Sequence, residues 1–258
     1  MTRGIWDRET VALLLLIAVF PLVLTWLIAT GIEGAARLAF FLVVAGIWHV
    51  IWMLARAQPP SLAGALTAVA LAMLAPEDLG LIALLLSTSF GVVMADLAFG
   101  GWGRNVLNPG TVTLAFMGFG YATAPWPVLE VQLAWAAVPV GLIGVLAGVI
   151  SPALLLGAVA VLAVAMLSGL DLGGAMPAIL VVLVLLVADP VASAASTLGR
   201  WLTGGLYGGL VVLFAANWQG VDPLQMCVSA ALLTSLAAPL FDEVSLMIWL
   251  QRRKRTHG

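Results

Sequence analysis

What most constrains this chain is how rarely its apolar runs are interrupted. From Val11 to Trp249 one long hydrophobic stretch follows another, parted only by short breaks of proline, glycine and polar residues. A bilayer core takes about 20 apolar residues per helix, within about 17–25. Reading the runs between breaks gives ten segments, at 10–30, 36–55, 61–75, 79–97, 107–121, 132–149, 152–168, 175–188, 201–218 and 224–249. The expected fold is all-α and polytopic, a single integral membrane domain over residues 1–258 with about ten transmembrane helices.

Composition narrows the classes further. The chain is 63% hydrophobic and 9% charged, with a mean hydropathy of +1.17. Its 10 basic and 12 acidic residues cannot supply the charged shell that a soluble core of this size needs. The lone Cys227, inside an apolar run, excludes a disulfide framework and an Fe–S motif. His49 in an apolar run and His257 in the tail leave no intramembrane histidine pair for a haem. No basic arm points to nucleic acid. The first run is long enough to span and has no small-residue cleavage site behind it, so it is expected to be a retained helix.

An even number of spans puts both termini on one side. That side collects Arg3, Arg8, Arg56, Arg104, Arg200, Arg252, Arg253, Lys254 and Arg255, and the other holds Arg37 with Glu33, Glu77, Asp78, Glu130, Asp171 and Asp222. The positive-inside rule then makes both termini cytoplasmic. Two segments, Ser61 to Ala75 and Ala175 to Ala188, are shorter than a full crossing and end at Pro76 and Asp189-Pro190. If the chain is two halves of five spans, approximately 10–121 and 132–249, these occupy equivalent positions. Paired broken helices of that kind point to a midplane site. Two little-tilted helices that thin the bilayer account for the same lengths.

Two polar clusters stand out. Gly100-Gly101-Trp102-Gly103-Arg104-Asn105-Val106-Leu107-Asn108-Pro109-Gly110 places four glycines and two asparagines in a greasy chain. Irregular backbone at membrane depth is tolerated only where protein or a wet cavity satisfies it. Gly100, Gly101 and Gly103 allow close approach. Asn105 and Asn108 offer amides, and Asn108 before Pro109 reads as a helix cap. A capped helix-to-helix turn fits these residues too. In the second cluster Asp189 ends an apolar run, Pro190 stops it, and Ser193, Ser196 and Thr197 follow. A carboxylate at that depth is a functional candidate; a helix-terminating Asp189 paired to Arg200 is the simpler alternative. Asp222, in Gly220-Val221-Asp222-Pro223, lies on the opposite face and, with Asp189, is a candidate for an ion pathway.

Plainer roles are expected elsewhere. Asp96 and Asp242, at cytoplasmic helix ends, read as anchors in preference to relays, and His49 as a satisfied core histidine. Trp6, Trp26, Trp126, Trp135, Trp201, Trp218 and Trp249 read as an interfacial belt. Gly204-Gly205 and Gly208-Gly209 suggest close helix packing. The basic tail from Arg252 to Arg255 anchors topology and touches anionic lipid.

On these residues the chain resembles the NqrB/RnfD family, the flavin-bearing membrane subunits of sodium-pumping NADH:quinone reductase and of Rnf complexes. Gly100 to Gly110 is similar to the family's Gly-Gly-x-Gly-x-Asn-x-x-Asn-Pro-Ala loop, with Gly110 in place of alanine. Asp189-Pro190-Val191 through Gly199-Arg200 resembles its Thr-Asp-Pro-Val segment. Asp222 and Pro239-Leu240-Phe241-Asp242 resemble its Pro-Asp-Gly turn and Ala-Pro-Leu-Ile-Asp ending. Gly64-Ala65-Leu66-Thr67 fits as well, and the likeness spans roughly 55–125 and 180–245.

The resemblance implies a 5+5 inverted repeat similar to urea and ammonium channels, in a bacterial cytoplasmic (inner) membrane. It implies an electron-relay subunit, not an enzyme by itself, that helps couple electron flow to Na⁺ or H⁺ movement. Its partners would be other membrane and peripheral subunits, such as an FMN-binding protein or a multihaem cytochrome. Gly100, Gly101, Gly103, Asn105, Asn108, Pro109, Asp189, Pro190 and Ser193 would shape a pocket for noncovalent riboflavin or FMN. The threonine motif that carries covalent FMN is missing from the loop Ala122 to Val131, and so is the family's Gly-Ser-x-Gly-Glu segment. A passive channel or solute carrier, or a structural anchor for redox partners, stands as the alternative.

Overall fold

The computed structural model of the chain describes residues 7–56, 61–218 and 220–257, and for 252 and 254–257 the backbone alone. The anchoring expected of Arg3, Trp6 and most of the basic tail therefore lies outside the described residues. Within them every regular element is helical and none is a strand, as apolar segments must be to satisfy their own backbone in lipid. The elements are α1 (Arg8–Arg56), α2 (Ala63–Leu74), α3 (Leu81–Gly91), α4 (Pro109–Gly120), α5 (Val131–Leu146), α6 (Pro152–Leu167), α7 (Met176–Val182), α8 (Thr197–Asn217) and α9 (Pro223–His257). A π-helical turn, Val92–Asp96, extends α3, and another, Leu183–Val187, extends α7. Among the described residues, four stretches are long and apolar enough to cross a membrane: Arg8–Arg56, Leu81–Phe99, Thr197–Asn217 and Pro223–Gln251. Ala63–Leu74, Val131–Leu146, Pro152–Leu167 and Gly173–Val187 are shorter apolar helices.

The runs at 10–30 and 36–55 meet in one 49-residue element with a break at Gly31 (φ 62°, ψ −136°). Were α1 straight, residues 9 and 49 would lie about 60 Å apart. Instead Glu9 Oε2 accepts from the Leu62 amide at 2.8 Å, while the His49 ring packs against Gly64. Residues two apart cannot touch both ends of a straight rod, so α1 folds back at Gly31 as two limbs. A positive φ at that turn favours glycine, which adopts it without strain.

The two short segments form the interior. Ten of the 12 residues of α2 are buried, and α7 with its π turn is buried almost throughout. Arg37 holds the C-terminal end of α2, its guanidinium donating to the carbonyls of Ala75 and Pro76. A cation at a helix C-terminus offsets the unpaired carbonyls there. In the second half α6 and α8 touch through bare backbone: a Cβ at Gly204 would collide with the Leu154 carbonyl, and one at Gly157 with that of Trp201. The tryptophan belt is only partly formed. Trp135, Trp201, Trp218 and Trp249 are exposed, but Trp26 and Trp126 are core residues at 6% and 5% exposure. Trp126 packs on Gly118, so its aromatic bulk fills a hole between helices.

Candidate functional site

The glycine loop begins where the extension of α3 stops. Gly100 and Gly101 have φ of 99° and 91°, and their amides donate to Leu97 O (3.0 Å) and Asp96 O (3.1 Å). That left-handed pair satisfies carbonyls which an ending helix leaves open. Asn105 then ties the loop to itself: its Oδ1 accepts from the Gly103 amide at 3.0 Å and its Nδ2 donates to Leu107 O at 2.9 Å. Trp102 turns inward, at 5% exposure, and its carbonyl accepts from Arg8 Nη1 at 3.4 Å. Asn108 caps α4 by accepting from the Thr111 amide at 3.1 Å, with Pro109 at the first helical position.

The other face of the Asn108 amide reaches across the molecule. Its Nδ2 donates to Asp189 Oδ2 at 2.8 Å, joining residues 81 apart. The second carboxylate oxygen accepts from the Val191 amide at 3.0 Å, and the Asp189 carbonyl from the Ser193 amide at 3.1 Å. Ser193 thus enters through its backbone, with Pro190 in the turn between. Both partners are buried, Asn108 at 9% and Asp189 at 7% exposure. A buried carboxylate is tolerable only if its oxygens find donors, and both do. Pairing of Asp189 with Arg200 does not occur: the Arg200 Nε donates to Ala194 O at 3.0 Å.

Beneath this junction the start of α2 and the π turn after α7 leave a cavity of about 30 Å³, lined by Thr67, Ala70, Trp102, Asn108, Val184 and Asp189 among others. That space has room for one water. It does not admit an isoalloxazine ring. Of the loop residues, Gly103, Arg104 and Val106 face outward.

The remaining candidates separate. Asp222 is exposed and lies beyond the far end of α4, since Gln225 just after it reaches Gly118 O at 3.5 Å. It is not part of the junction. Asp242 is an anchor, accepting from the amides of Ala195 and Ser196 at 2.8 and 2.9 Å and from the Ser196 hydroxyl at 2.6 Å. Asp96 is not. The π turn carries it inside, to 2% exposure, where its Oδ2 faces His49 Nε2 at 3.4 Å. His49 is satisfied, as expected, but by an acid. Sequence reasoning passed over this pair and over Trp102. The available signal was a histidine within one apolar run and an aspartate at the end of another, each needing a partner.

Comparison with known proteins supplies the context. The profile of the NQR2, RnfD, RnfE family matches residues 3–138, just over half of the chain. The B subunit of the Na(+)-translocating NADH-quinone reductase from Stutzerimonas stutzeri is 32% identical over 129 residues, covering 46% of this chain and 32% of that protein. Its counterpart in Klebsiella pneumoniae is 35% identical over 95 residues, 37% of this chain and 22% of that protein. The counterpart in Ectopseudomonas mendocina is 25% identical over 286 residues, 86% of this chain and 70% of that protein. In the first two the matched stretch is a third or less of the relative, while the last is too long to leave out either loop.

Proposed function

Because the chain belongs to the NQR2, RnfD, RnfE family, we propose that it is an integral membrane subunit of an electron-transfer complex in which the Asn108–Asp189 junction helps couple electron flow to Na⁺ or H⁺ movement. The observation that carries this reading is the hydrogen bond itself. It closes two polar loops from the two halves of the chain over a water-sized cavity, where two short buried helices meet.

The ten-span, 5+5 arrangement belongs to the same proposal. The limbs of α1 with α2, α3 and α4 form one half, and α5 to α9 the other, with α2 and α7 as counterpart broken helices. Arg8, Arg104 and Arg200 all lie beside the two loops, which supports placing that end, and both termini, at the cytoplasmic side of an inner membrane. Asp222 would mark the opposite mouth of the pathway. Riboflavin or FMN, held noncovalently, would abut the outward rim at Gly103, Arg104 and Val106, because the inner cavity is too small for it. Other membrane and peripheral subunits, an FMN-binding protein or a multihaem cytochrome among them, would complete the complex.

The test is ion uptake driven by electron transfer in the assembled complex. Asn108→Ala and Asp189→Asn should each lower it about tenfold or more, the scale of one charge-assisted hydrogen bond, with assembly intact. Unchanged uptake in both would overturn the reading. A passive channel on the same scaffold is the second reading, favoured by the polar cavity. It predicts solute flux in liposomes of the chain alone, abolished by Asn108→Ala. Absorption of the purified chain reads the flavin directly: a flavin band supports contact here, and colourless folded protein removes riboflavin and FMN from this subunit.

A further inference from the structure

A second buried polar group lies inside the apolar bundle, apart from the loop junction. Asp96 closes the π-helical turn Val92–Asp96. One extra residue in a turn rotates the residues after it by about 100° relative to a regular α-helix, and Asp96 faces α1. Its Oδ2 stands 3.4 Å from His49 Nε2, whereas its Oδ1 is buried with no hydrogen-bond partner. His49 Nδ1 is fixed at 2.9 Å from Ala45 O, and Gly64 on α2 leaves room for the ring.

Among the described residues the charged surroundings are few. Glu9, at the start of α1, lies within electrostatic reach of the imidazole, and its Oε1 too is buried without a partner. Asp189 lies within electrostatic reach of Asp96. The neighbouring α2 and α4 carry no charged residue, and Arg8 and Arg104 stay with the glycine loop.

We propose that His49 and Asp96 form a proton-binding site that takes up and releases one proton. With no proton, the pair is a buried anion with an orphaned oxygen. With one, it is neutral overall, whether the proton sits on the carboxylate or on the imidazole. With two, it is a buried cation. Burial penalises both charged extremes, so the singly protonated pair is the resting state, and the free Oδ1 offers a second position for its proton. A hard metal cation would need several oxygen ligands, and no group of three His, Cys, Asp or Glu able to hold one occurs among the described residues. Buried carboxylate–histidine pairs in membrane helices are suited to relaying protons. The site stands whether or not the chain touches a flavin.

Difference infrared and imidazole NMR titrations of the full chain in lipid nanodiscs test it. His257→Gln serves as background, so that one of the two histidines remains. A carboxyl signal and the imidazole signal should change over the same pH interval. Asp96→Asn should remove that carboxyl component and displace the imidazole midpoint by about 1 pH unit or more. His49→Gln should displace the carboxyl component likewise, so either variant decides the matter if the other fails to fold. An imidazole titration unmoved by Asp96→Asn, a carboxyl signal unmoved by His49→Gln, or no pH response of either group while the helices persist would overturn the proposal.

Discussion

Asn108 performs two tasks with one amide. Its oxygen caps α4, and its nitrogen is a donor to a buried carboxylate. Asn108→Ala removes both, and the losses combine to about 2–4 kcal/mol of stability, measurable by reversible denaturation in detergent. Asn108→Asp keeps the cap but sets one carboxylate against another, and should be no more stable than the alanine variant. Gly110 is a narrower case. A Cβ there would lie 3.1 Å from Asn108 Oδ1, 3.3 Å from Leu186 Cδ2 and 3.4 Å from Ala70 Cβ. Restoring the alanine of the resembled loop with Gly110→Ala should therefore destabilise this chain by about 1–2 kcal/mol, because Leu186 and Ala70 fill the space a methyl group would occupy. The cap at Asn108 and the proline after it were legible in sequence, since capping is decided within four residues. The bond to Asp189 was not, since nothing local couples positions 81 apart.

Helices were legible as apolar runs, and their lengths exposed α2 and α7 as unusual. What the runs could not give is how each one ends. Whether α3 continues as α or widens into a π turn is settled by packing, and that choice decides whether Asp96 meets lipid headgroups or His49. The glycine pairs of α8 illustrate the same limit. All four read as packing glycines, yet only some face a neighbour. Gly204 meets the Leu154 carbonyl, a backbone atom that cannot step aside, while Gly209 has nothing within 4 Å. Gly204→Ala should cost about 2 kcal/mol or more through separation of α6 from α8. Gly209→Ala should be neutral within about 0.5 kcal/mol, or slightly stabilising from helix propensity. Unfolding midpoints of the two variants check the contrast.

Across the whole molecule, the polar features divide between two ends. One end carries the two loops, Arg8 and Glu9. The other carries a cleft of about 660 Å³ lined by Glu33, Arg37, Glu77, Glu130 and their neighbours. Arg104→Cys and Val128→Cys, both at exposed positions, should react with an impermeant maleimide from opposite sides of sealed vesicles. Native Cys227, fully buried, should stay silent in both.

Everything proposed for the junction depends on Asn108 and Asp189 acting as a pair across the two halves of the chain. A double-mutant cycle of Asn108→Ala and Asp189→Ala, read by unfolding free energy in lipid or detergent, measures that pairing. The structure predicts a coupling of about 1–3 kcal/mol. Effects that add within about 0.5 kcal/mol would mean that the two loops do not hold each other, and would contradict the account.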